Sequence, residues 1–254
     1  MLPLLAVSQT TRLASDQISD NIRLQLEMRG IRIGDVTRMA AERRSAPRVS
    51  EDSGARAETA GNGAAPDPAM VKVVADTFGR LFAVYKQLQV FDSPPDLYTD
   101  TDSVINAYAT KGQEVHIFAA LPELIHDSQS ELAFAIAHEM GHIVQQRTQK
   151  LLFVTDNVEF DADVWGVLVG LLAGYDPYAG SGTLAKLSMA TGDVGLQQQF
   201  EDQSAQDAHK SFVSRIEIMY DALKGVCGIN ADFQNLCNQY RSQVHPHFPS
   251  NAVL

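Results

Sequence analysis

The stretch SELAFAIAHEMGHIVQQRTQ, residues 130–149, restricts the fold more than any other part of the chain. Leu132, Phe134 and Ile136 precede the segment His138-Glu139-Met140-Gly141-His142, and Ile143 and Val144 follow it. Two imidazoles and a carboxylate therefore sit inside an apolar helical run. Polar groups taken out of water without partners are costly, so this helix can enter a core only where something satisfies its histidines. Spacing of four puts both imidazoles on one face, one turn apart, where two nitrogens can reach a single Zn²⁺ at about 2.0–2.1 Å. Glu139 is next in the chain to His138. It flanks the same point and is placed to take a proton from the water such a metal activates.

A catalytic zinc site needs a third protein ligand and an open fourth position. Residues 156–166, DNVEFDADVWG, offer the ligand. Asp156 or Asn157 can cap a new helix, with acids favourable in its first turn. Glu159 and Asp163 are four apart and share a face. Glu159 suits the metal, and Asp163 can accept an N–H from a ligand histidine and so fix its tautomer.

The rest of the chain frames these two helices. Ile18, Ile22 and Leu26 predict a helix over residues 15–29, stopped at Gly30, and a short one covers 35–44. Residues 45–68 are rich in Ala, Gly, Ser and Pro and read as a loop or linker. Val71, Val74, Phe78, Leu81, Phe82, Tyr85 and Leu88 trace one face of a long amphipathic helix. Beyond Pro94-Pro95 come short apolar segments at 97–98, 104–109 and 115–120. Gly112 lies between the last two, which read as a hairpin or meander of a small sheet. From Ser128 the pattern is helical again, so the expected class is α+β.

Charge divides the chain. Residues 1–68 carry nine arginines, no lysine and nine acids, and contain no aromatic residue. They read as an appendage without a core of its own, and residues 69–254 as the catalytic domain. The net charge of −11 lies wholly in that second part, which argues against a nucleic-acid partner and against an anionic membrane surface. No segment approaches the roughly 20 apolar residues that span a bilayer; residues 164–175 are the longest charge-free apolar stretch near the middle. The start, MLPLLAV, lacks a basic region and is too short for a whole signal peptide, though it suits a remnant of one. Cys227 and Cys237, the only cysteines, are either a local disulfide or two unrelated buried thiols.

The order Asn106-Ala107-Tyr108, then a strand, ELAFAIAHEMGHIV, EFDADVWG and Ala173-Gly174-Tyr175-Asp176-Pro177 resembles the HtpX-like and CAAX prenyl endopeptidase family of zinc metallopeptidases. The resemblance covers about residues 70–223. It implies a mainly helical, zincin-like domain of the gluzincin type, with a small sheet next to the H-E-x-x-H helix. It also implies one Zn²⁺ per chain held by His138, His142 and Glu159, with Glu139 as general base and Asp163 behind the ligands. The substrates it implies are proteins or peptides. Residues 208–216, AHKSFVSRI, are similar to the family's H-P-x-x-x-x-R-I segment, with Lys210 in place of Pro. That would set His209 and Arg215 near the metal, to support an oxyanion or to hold the ligands, or would let His209 cap the open position. His245-Pro246-His247 competes for this role but has no Arg six residues later. Membrane-integral members carry spanning helices, so the resemblance is to the soluble branch.

The expected reaction is peptide hydrolysis, with substrate added as a strand along an exposed edge at 114–118, bonded to the backbone of Val115 and Ile117. A catalytically silent, metal-stabilised protein-binding or chaperone-like module is the rival from another class. A zinc hydrolase of non-peptide substrates is the other alternative. A bacterial envelope compartment suits the branch and a disulfide, with the cytoplasm left open.

Overall fold

Side-chain caps fix where several of the helices begin. The structure, a computed structural model, describes residues 3–45, 57–60, 65–125, 128–154, 157–195 and 212–240. Helix α1 (Pro3–Met28) stops at Gly30, whose φ of +66° favours a residue without a side chain, and α2 (Ile33–Ser45) follows. Asp67 accepts from the Ala69 N–H to start α3 (Pro68–Gln87), with Pro68 in the first turn. Strands β2 (Asp96–Asp100), β3 (Ala107–Ala109) and β4 (Glu114–Phe118) lead to the short α4 (Ala120–Leu124). Ser128 caps α5 (Gln129–Thr148), and Asn157 caps α6 (Val158–Leu172) by accepting from Phe160 N–H. Asp156, the other candidate cap, lies outside the described residues. Then come α7 (Ala179–Gly195), α8 (Phe212–Cys227) and α9 (Ala231–Asn238).

The molecule is α+β, as the pattern predicts. One strand was not expected. β1 (Ala57–Ala60) lies within the stretch that reads as linker and pairs in parallel with β2. Its pairing runs through the backbone, which leaves no mark in the apolar pattern. The sheet order is β1-β2-β4-β3, with β2 parallel to β4 and β3 antiparallel to β4. This overturns the expectation of an exposed edge at Glu114–Phe118. β4 is bonded on both sides, and Val115 and Ile117 are fully buried, so neither can receive an added strand. The outer strand beside α5 is β3.

Ile18, Ile22 and Leu26 of α1 and Val36 and Ala40 of α2 are buried in the same cluster as the apolar faces of α3, α5, α6 and α8. Ser19 Oγ donates to Gly225 C=O of α8 at 2.6 Å. The disulfide alternative holds: Cys227 and Cys237 are bonded at 2.09 Å and join α8 to α9. Among the described residues no helix is long and apolar enough to cross a membrane.

The two helices that carry the polar motifs approach closely at Gly141. A Cβ there would lie 2.9 Å from the Cβ of Trp165, an atom anchored to the α6 backbone. Gly141→Ala should therefore cost about 1–3 kcal/mol by overpacking. Thermal unfolding followed by circular dichroism should show a melting point lower by about 2–4 °C for each kcal/mol. An unchanged midpoint would contradict this contact.

Candidate metal centre

Helix α5 presents His138 and His142 one turn apart, and the start of α6 brings Glu159 to both. The two Nε2 atoms are 3.1 Å apart. Glu159 Oε2 is 3.4 Å from His138 Nε2, and Oε1 is 3.3 Å from His142 Nε2. The imidazoles meet edge to face, with centroids 4.7 Å apart. One donor atom from each of the three residues lies within 4.8 Å of the others, so these residues could hold a metal ion.

Each imidazole is held from behind through its other nitrogen. His138 Nδ1 faces Asp163 Oδ1 at 2.9 Å. His142 Nδ1 donates to Gln145 Oε1 at 3.0 Å, and Gln145 Nε2 in turn donates to Val158 C=O and to Asp161 Oδ2. Asp161 also accepts from the N–H groups of Phe153 and Val154, fixing the connection between the two helices. Sequence reasoning missed both Gln145 and Asp161. Gln145 carried a local signal, being three residues after His142 on the same helix face. Asp161 carried none, because its partners come from the loop.

Arg215 arrives from α8. Its Nε and Nη2 reach Asp163 at 3.1 and 2.5 Å, and its Nη1 reaches Glu159 at 3.1 Å. The guanidinium thus joins the carboxylate facing both Nε2 atoms to the one behind His138. Glu139 is almost buried, on the same helix but outside the three-residue cluster. His209 and Lys210 lie outside the described residues, as do His245, Pro246 and His247. Val115 and Ile117 are buried strand residues without part in this cluster.

The protonation states follow from the crowding. Burial and the Arg215 charge push the His138 imidazole towards neutrality, but hydrogen bonds to Asp163 and Glu159 outweigh them and raise it to about 9. Burial also opposes the charge on His142, yet Glu159 raises it above the ordinary histidine range. Burial works against the Asp163 carboxylate, and Arg215 and His138 hold it below its usual value all the same. The Arg215 charge is likewise held, against burial, by Asp163 and Glu159. Three carboxylates (Glu139, Glu159 and Asp163) face one guanidinium. A dication would complete the neutralisation, and without it the His138 imidazole holds a proton at neutral pH.

Two imidazole nitrogens and one carboxylate fit a zinc ion that keeps one position open, and the partners on the Nδ1 atoms complete that fit. An H-E-x-x-H helix joined by a glutamate from the next helix defines the class as a metallopeptidase centre. The profile of Peptidase family M48 matches residues 80–215, a little over half of the chain, and the chain belongs to that family. Membership implies a zinc metallopeptidase. Searches among curated proteins and among solved structures each gave no match.

Metal and protons compete for the same nitrogens, so affinity should rise as pH climbs through 7 to about 9, the value of His138. Calorimetric titration of zinc into metal-free protein at pH 7, in buffers of different ionisation enthalpy, should report release of at least one proton; zero release would contradict the scheme. The sign for stability is opposite. The folded-state value of His138 lies above the ordinary histidine value of 6.5, so its contribution to the metal-free protein is complete below about 6.5 and lost as pH rises through about 9. Gln145→Leu should weaken zinc binding by about 10–100-fold in competition with a chromophoric chelator, and lower the melting point as well because Asp161 and Val158 lose a donor.

Proposed function

We propose that the protein is a zinc metalloendopeptidase of the HtpX-like branch, its Zn²⁺ held by His138 Nε2, His142 Nε2 and the Glu159 carboxylate. The observation that carries this reading is the convergence of three donors whose far sides are already engaged by Asp163, Gln145 and Arg215. Bound zinc would polarise the scissile carbonyl and lower the pKa of water. Glu139 accepts the water proton and passes it to the leaving amine. Arg215 holds Asp163 and Glu159 in place. His209 keeps a part in this reading through the resemblance of AHKSFVSRI alone.

Substrate is read as an extended segment along β3. Thr110 N–H donates to Glu114 C=O, and Phe118 N–H to Asn106 C=O. The even-numbered positions of β3 thus bond to β4, and the N–H and C=O of Ala107 and Ala109 point to the open side. These two alanines replace Val115 and Ile117 as the backbone that receives a peptide. In this reading the peptidase domain comprises residues 69–254, with α1 and α2 bracing it. The disulfide favours an oxidising compartment such as a bacterial envelope.

Cleavage of unfolded casein by wild type and by Glu139→Gln, with metal content measured for both, tests the reading. The variant should keep its zinc and lose about 100-fold or more of the activity. Equal activity in the two would overturn the mechanism.

A further inference from the structure

Three rings cross the sheet in register on the face opposite Val115 and Ile117. Tyr98 of β2 and Tyr108 of β3 are the direct cross-strand partners of His116 on β4. The imidazole stacks on Tyr98 with centroids 4.8 Å apart and planes 14° apart, and on Tyr108 at 4.5 Å and 6°. Asp100 Oδ2 lies 3.0 Å from His116 Nδ1 and keeps the imidazole from turning out of the stack. Phe118 leans on Tyr108 from the side, with centroids 5.8 Å apart. The zinc chemistry makes no use of this ladder.

The ladder ends on the outer strand. Tyr108 is only partly buried, with one ring face on His116. The rings are nearly parallel, so its second face is directed across the sheet, towards the next strand position. Ala107 and Ala109 bond outwards, so an antiparallel peptide on β3 would face Tyr108 in a non-hydrogen-bonded pair. In such pairs side chains approach most closely.

We propose that Tyr108 determines specificity by stacking on a planar side chain, arginine or an aromatic, of the peptide bound along β3. This rests on the reading that β3 receives the substrate. Arginine is the best occupant. Asp100 and Glu114 place carboxylate oxygens 3.0 and 3.6 Å from the nitrogens of the imidazole stacked on this ring, so its surroundings are negative. A guanidinium gains a cation–π contact there in addition to the stack.

The test is a peptide series identical except at one position, which carries Arg, Tyr, Leu or Lys, with every position scanned in turn. Zinc-loaded wild type, Tyr108→Phe and Tyr108→Leu are compared. At one position Arg and Tyr should raise kcat/KM by about three- to tenfold over Leu and Lys, through KM. Tyr108→Phe should keep that preference, and Tyr108→Leu should level it. Lys equal to Arg with Tyr no better than Leu would mean charge alone and overturn the proposal. So would a preference that survives in Tyr108→Leu, or cleavage by wild type without selectivity at any position. Absence of Glu139-dependent cleavage of every peptide overturns the peptidase reading together with this one. Cleavage without planar preference overturns this one alone.

Discussion

Arg215 spanning Asp163 and Glu159 is the contact on which the rest of the structure depends. His138, Glu159, Asp163 and Arg215 are each no more than 5% exposed. Charges so buried are tolerated only when paired and hydrogen-bonded, so α5, α6 and α8 have to meet at one point. Gly141 lets α5 and α6 close on each other, and Asn157 starts α6 at the residue that brings Glu159 and Asp163 to the histidines. Ser19 and the apolar face of α1 hold α8 from its other side, and the disulfide secures its end. Removing one member of the pair would strand a buried charge, which typically costs about 3–5 kcal/mol.

The same cluster is suited to a metal ion. In its absence three carboxylates face one guanidinium, and the His138 imidazole responds by holding a proton. A dication would take the place of that proton between the Nε2 atoms while Asp163 and Gln145 keep the Nδ1 atoms engaged. Assembly of the fold and preparation of the metal site are thus one electrostatic problem with one solution.

The parts of this that were legible in the sequence are those with a short period. His138 and His142, and Glu159 and Asp163, are each four apart on a helix, and the apolar residues around them say that the helices are buried. The hairpin of β3 and β4 was legible around Gly112 for the same reason. Strand order was not. The alternation that buries Val115 and Ile117 is the same in an edge strand and in a central one, and only the parallel entry of β2 makes β4 interior. β1 pairs with β2 through its backbone and was hidden in a stretch of small and polar residues. The aromatic-free first quarter reads as an appendage, yet its residues Ile18, Ile22 and Leu26 enter the shared core, a partnership set by contacts some 200 residues away. Arg215 lies 52 residues from Asp163, and its place near the histidines came from resemblance and not from spacing.

The most direct measurement is X-ray absorption at the zinc edge, with metal stoichiometry, on the purified protein and on Glu159→Ala. One zinc per chain, with two imidazole nitrogens at about 2.0–2.1 Å and a carboxylate oxygen lost in the variant, is the expected result. Zinc without imidazole ligands, or a first shell that Glu159→Ala leaves unchanged, would contradict it.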